Sequence, residues 1–289
     1  AALPDLVKGP ELLAANALSS ATWGIMLTVG SAIGGGVAMV FGRDASFILN
    51  GVSFFISGLF VLRIVLPKTH ATGSPTHFFS DFVAGIGYIK RDMLTRVFLP
   101  AKAVWGLGSG AAVMLYALFG GQVFDKGDAG IAILFTARGA GTLIGTLGMK
   151  FLPTPNLASL RKGIFIGLAS YGLFFIVFSF SQSIWIGAAC LMLSTCGSMV
   201  MWVFSSLGLQ LVVDEDFRGR GFAADGGLFT LATAISTLAG GLFLDLFDPR
   251  VVAFGAGAIG IAAATLWFLL SRSVPMERKA DSPLSAKTG

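Results

Sequence analysis

Residues 163–213 read GIFIGLASYGLFFIVFSFSQSIWIGAACLMLSTCGSMVMWVFSSLGLQLVV, 51 residues without a single charge. A helix needs about 20 mainly apolar residues to cross a ~30 Å hydrocarbon core. The stretch is therefore long enough for two spans and a turn. SFSQS at 179–183, polar and flanked by aromatics, is where that turn is predicted. A membrane β-strand would alternate in character over about ten residues, and this run does not. It reads as paired transmembrane helices.

The same reading extends in both directions. Residues 12–42, 45–62 and 103–124 carry no charge, and 129–149 carry only Arg138. Two further spans are predicted at 221–243 and 251–270. The total is eight. Of the 289 residues 55% are hydrophobic and 12% charged, where a soluble domain carries roughly 25% charged residues. The chain reads as an all-α, multi-pass membrane protein.

Lysine and arginine are divided unequally among the connections. Placing Lys8, 63–102, 150–162, Arg218, Arg220 and the tail on one side gathers 16 of the 20 basic residues there. Arg43, Lys126 and Arg250 fall on the other side, and Arg138 remains in the membrane. The positive-inside rule then places both ends of the chain, including the C-terminus, in the cytoplasm. In the long connection, 67–75 reads as a linker. Phe79, Phe82, Val83, Ile86, Ile89 and Met93 recur at helical spacing, predicting an amphipathic helix on the membrane surface.

The chain also repeats. A shift of 206 positions brings Gly34-Gly35 onto Gly240-Gly241, Phe41 onto Phe247 and Gly51 onto Gly257. Two helices at 17–62 then coincide with two at 221–270. A parent built from two parallel halves of six helices is expected. Residues 1–66 would be the last two helices of its first half. Residues 67–99 would be the linker, 100–272 the second half and 273–289 the tail. On this reading eight of twelve helices are present and the N-terminal helices of a complete carrier are missing.

ALPDLVKGPELLAANAL (2–18) resembles the connection before the fifth helix in one branch of the major facilitator superfamily, the enterobactin-exporter-like and transmembrane secretion effector carriers. GSAIGGGVAMVFGRDASFILNGVSFFISGLFVLRI (30–64) is similar to their fifth and sixth helices, and FRGRGFAADGGLF (217–229) to the charged turn into the eleventh. The resemblance implies a secondary active transporter, coupled to protons, that exports a small amphipathic molecule such as a drug-like compound or siderophore by alternating access. It implies a bacterial inner-membrane location, with substrate, protons and membrane lipid as partners. The superfamily's glycine, aspartate and arginine signature falls between the second and third helices, among those expected to be missing, and its expected second-half counterpart, MKFLPTPNLASLRKG, keeps only the basic residues.

Candidate functional residues lie inside the spans. Arg138 is well over ~10 Å from either edge, and facing lipid would cost at least ~2.5–3.5 kcal/mol. Gly141, Thr142, Gly145 and Met149 share its stripe, while Leu143 and Leu147 lie opposite, so it is expected to point inward. Two roles are open to it: a latch bonded to carbonyls or a carboxylate, or a cavity group that binds an anionic substrate or tunes a proton-carrying acid. Asp225 is the carboxylate placed well inside a span. It is expected to pair with Arg218 or Arg220 at the cytoplasmic turn, or else to act as a protonatable acid coupled to Arg138 through water. Trp105, Tyr116, Gln122, Ser198 and Trp202 lie on the two second-half helices that, by the resemblance, line the central cavity. Trp23 and Asn50 are the first-half candidates.

Other chemistry is not indicated. Cys190 and Cys196 point to different helix faces, and His70 and His77 have no carboxylate or cysteine beside them. Gly106, Gly108 and Gly110 follow no strand and fall within a helix, so they are no phosphate loop. Gly30-x-x-x-Gly34 and Gly163-x-x-x-Gly167 read as packing devices. No catalytic set, metal, cofactor or nucleic-acid interface is expected. The competing class is a non-transporting membrane scaffold or lipid-handling protein with the same fold.

Overall fold

Polar caps and one glycine set where the helices begin and end. In a computed structural model the chain is described over residues 11–62, 92–151, 156–214 and 217–276. Helix α1 (Glu11–Phe41) is followed by a one-residue turn at Gly42, with φ +86°, and by α2 (Arg43–Leu62). Only glycine enters that backbone region without strain. The next span is interrupted: α3 (Met93–Phe98), α4 (Ala101–Ser109), α5 (Ala112–Leu118) and a π-helical turn at Phe119–Val123. It is followed by α6 (Gly127–Gly148), α7 (Leu157–Ser179), α8 (Ile184–Val212), α9 (Arg218–Leu244) and α10 (Pro249–Ser271). Asp92, Asn156, Ser183 and Asp248 cap α3, α7, α8 and α10, each accepting a bond from a backbone N–H of its helix's first turn.

Seven helical stretches among the described residues are long and apolar enough to cross a membrane, counting 93–123 as one. The expected eighth, α2, is a 20-residue helix spanning about 30 Å. The turn predicted at 179–183 lies between α7 and α8. The repeat carries through to the helix limits. Adding 206 to 43–62 gives 249–268, against 249–271 for α10.

One expected boundary moves. The chain enters its next helix at Met93, capped by Asp92, so the limit expected at 99/100 falls inside an interrupted span. Pro100 breaks it because proline offers no N–H and its ring crowds the preceding turn. The carbonyls at the break are taken from outside: Trp267 Nε1 donates to Val97 O at 2.9 Å and Ser205 Oγ to Phe98 O at 3.4 Å. At the second break Ser236 donates to Leu107 O at 2.7 Å and Thr237 to Gly110 O at 2.8 Å. A broken helix inside a bilayer survives when its neighbours supply such bonds.

Helix α6 packs between α1 and α8. On its α8 side a Cβ at Gly141 would strike Met192 and Thr195, and one at Gly145 would strike the Cys196 carbonyl. Helix α8 continues onto α7, α7 onto α10, and α4 lies against both α9 and α10. Side chains of α1 and α2 such as Met26, Val40, Phe47 and Phe54 are exposed, as befits a lipid-facing surface. Gly163 and Gly167 are close-packed against α8, whereas Gly30 and Gly34 meet nothing among the described residues. Of the expected surface helix, Phe79 to Ile89 lie outside the described residues, as do the linker, His70, His77 and the Trp23 side chain.

Candidate functional site

Four helices each present two residues of chemical interest on one face, three or four positions apart: Lys102 and Trp105 on α4, Phe135 and Arg138 on α6, Tyr171 and Phe175 on α7, Asp225 and Phe229 on α9. At 3.6 residues per turn such pairs are neighbours. Tyr116 on α5 and Trp202 on α8 complete the set.

These side chains form a continuous column. At one end Lys102 Nζ meets Asp225 Oδ2 at 2.5 Å, both buried, and the same ammonium lies 4.9 Å from the Trp202 ring centre. Trp105 comes next, 5.9 Å from Trp202 and 5.9 Å from Phe229, on which it stacks. Trp105 is 5.6 Å from Tyr171, which stacks on Phe175 at 5.5 Å. Tyr116 lies 6.2 Å from Phe175 and edge-on to Phe135 at 5.6 Å. The Arg138 guanidinium closes the far end, 5.8 Å from the Tyr116 ring centre. Trp105 packs against both hydrophobic core clusters found among the described residues. Each aromatic pair contributes about 0.5–1.5 kcal/mol beyond its buried area.

Not every polar atom in the column is bonded. The Trp105 indole N–H, the Tyr171 hydroxyl and Asp225 Oδ1 are buried without a hydrogen-bond partner. Such groups each cost about 1–3 kcal/mol in a dry interior, so each calls for a partner such as water or a ligand. Arg138 lies near the middle of the 22-residue α6, about 15 Å from each end. Among the described residues it has no carboxylate partner, and its own carbonyl accepts from Thr142 and Thr195 at 3.1 and 3.0 Å.

The expected candidates separate into those the fold gathers and those it does not. Trp105, Tyr116, Arg138, Trp202 and Asp225 fall in the column. Ser198 does not: it is buried and its hydroxyl donates to Thr195 O at 3.0 Å within its own helix. Gln122 is exposed in the π-helical turn, and Asn50 is exposed on α2. The pairing expected for Asp225 is corrected, since its partner is Lys102 and not Arg218 or Arg220. Those arginines sit one to two turns above Asp225, Arg220 against the Phe217 ring at 5.2 Å. Asp225 meanwhile lies on the face that meets α4.

Lys102 was hidden from sequence reasoning among the basic residues of a connection. The signal for it is the capping sequence Asp92-Met-Leu-Thr95, in which Thr95 N donates to Asp92 at 2.7 Å and starts the interrupted span at Met93, nine residues before Lys102. Tyr171 and Phe229 carried no polar context to single them out.

Residues 1–287 match the family model described as transmembrane secretion effector. Comparison with curated proteins gives no match. The helical architecture and a family match over nearly the full length agree: the chain belongs to the transmembrane secretion effector family of the major facilitator superfamily, multi-pass membrane transporters of small molecules rather than enzymes.

Proposed function

We propose that this transporter is a proton-coupled exporter of a small amphipathic molecule, drug-like or siderophore-like, working by alternating access in a bacterial inner membrane with its C-terminus in the cytoplasm. On the 206-residue offset, 1–66 serve as the last two helices of the first half and the bundle from α3 to α10 serves as the second. The observation that carries the reading is the buried Lys102–Asp225 pair at the end of an aromatic column. An aromatic wall with few bonded polar groups suits a molecule with a broad apolar body. A carboxylate held by one lysine through one oxygen is a place where a proton changes the packing. Protonating Asp225 cancels its charge, releases the Lys102 ammonium and loosens the α4–α9 contact.

The test uses the full-length protein in proteoliposomes with an imposed pH gradient and an amphipathic dye inside. Transport by the parent should follow the gradient. Asp225→Asn should remove that dependence, while Gln122→Ala, outside the column, should keep it. Unchanged pH dependence in Asp225→Asn sinks the coupling role.

A further inference from the structure

Resting on the transport reading above, we infer that the column takes an organic anion with an aromatic body, its acid group paired with Arg138. The guanidinium is half-buried near the middle of a membrane helix, 5.8 Å from the Tyr116 ring centre. A cation at that depth without a counterion is costly. Asp128 is held by Arg43 and Asp225 by Lys102, so neither carboxylate serves Arg138. The negative partner must come from outside the described side chains, and a ligand carboxylate matches the planar fork of a guanidinium.

The surroundings point the same way. Arg138, Lys102 and Asp225 together leave the column one positive charge in excess. The unbonded groups between the two ends, the Trp105 N–H and the Tyr171 hydroxyl, can both donate a hydrogen bond. Trp105, Phe135 and Phe229, each half-buried, leave ring surface for an aromatic body. An organic cation fits poorly, because the protein's own Lys102 ammonium already occupies the Trp202 face and holds Asp225.

Equilibrium binding to the full-length protein in nanodiscs, with 2-naphthoate, 2-naphthalenemethanol and 2-naphthylmethylammonium as probes, tests this. All three share one ring system and differ in charge. Naphthoate should bind about tenfold or more tightly than the alcohol, as a charge-assisted pair requires, and the ammonium should bind most weakly. In Arg138→Gln naphthoate should fall to the level of the alcohol, whose own binding should hold, and Arg138→Lys should keep part of the preference. Equal binding of the three probes, no binding of any, or a preference that persists in Arg138→Gln overturns the inference. The comparison among probes on the parent protein stands even where a variant fails to fold. A naphthoate preference dependent on Arg138, without movement under a pH gradient, would instead overturn the transport reading. Gradient-driven dye transport without any preference for naphthoate would overturn this inference alone.

Discussion

Lys102 and Asp225 face each other across α4 and α9 at 2.5 Å, with 6% and 3% of their surfaces exposed. Removing one partner of a buried pair strands the other charge and costs about 3–5 kcal/mol, whereas replacing both by apolar groups of similar volume is close to neutral. Thermal unfolding in detergent should therefore show a large loss for Lys102→Met, with most of it restored in Lys102→Met/Asp225→Leu. Comparable losses in the single and double variants would mean that the pair is not coupled. Arg138 makes the opposite prediction. Arg138→Gln removes a cation with no carboxylate partner among the described residues, so folded yield should hold while export falls at least about tenfold. A collapse of yield with export per folded molecule intact would make Arg138 a structural latch. The depth of Arg138 could be read from the spacing of uncharged residues around it. The Lys102 partnership could not, because it joins positions 123 apart, and Lys102 read as one basic residue of a connection.

Helices α7 and α10 hold each other by a reciprocal device. Arg161, near the start of α7, donates to the Ser271 and Val274 carbonyls at the end of α10, at 2.7 and 3.2 Å. Arg250, near the start of α10, donates to the Ser179 and Ser181 carbonyls at the end of α7, at 2.9 and 2.6 Å. Each cation meets the negative end of the neighbouring helix and its unbonded carbonyls. Each is expected to stabilise by about 1–2 kcal/mol. Unfolding midpoints of Arg161→Met, Arg250→Met and the double variant should fall in steps that add, since the two sites lie at opposite ends of the pair. The α6–α8 seam makes a sharper case. Gly141→Val would drive a side chain into Met192 and Thr195, whereas Gly241→Ala meets nothing. Overpacking costs about 1–3 kcal/mol, so yield should drop for the first and hold for the second. The glycine stripe on α6 was readable as a packing face, but the same spacing at Gly30 and Gly34 was not a reliable guide. Spacing tells which residues share a face and says nothing about which neighbour covers it.

Across the whole molecule, the α1–α2 pair meets the larger bundle along α6. At the end of that seam Arg43 grips Asp128, with Nη2 at 2.7 Å and Nε at 3.2 and 3.1 Å from the carboxylate oxygens. If the two parts rock against each other during transport, this fork must open and close each cycle. Asp128→Arg should slow export, and Arg43→Asp/Asp128→Arg should recover much of the rate. A double variant as slow as the single would place the pair outside the cycle. The residues alone determined the membrane class, the all-helical architecture and the 179–183 turn, because crossing a bilayer imposes a length and an apolarity that show in any single stretch. They also supplied five members of the column, since charged residues deep in such helices are few and the chain has only 5 Trp and 3 Tyr. Which of those members touch was decided by tertiary structure. The Lys102–Asp225 pair, the linking roles of Tyr171 and Phe229, and the dismissal of Ser198 and Gln122 all follow from how interrupted helices rotate against their neighbours. That rotation is set by close packing between distant segments, a property that no local pattern records.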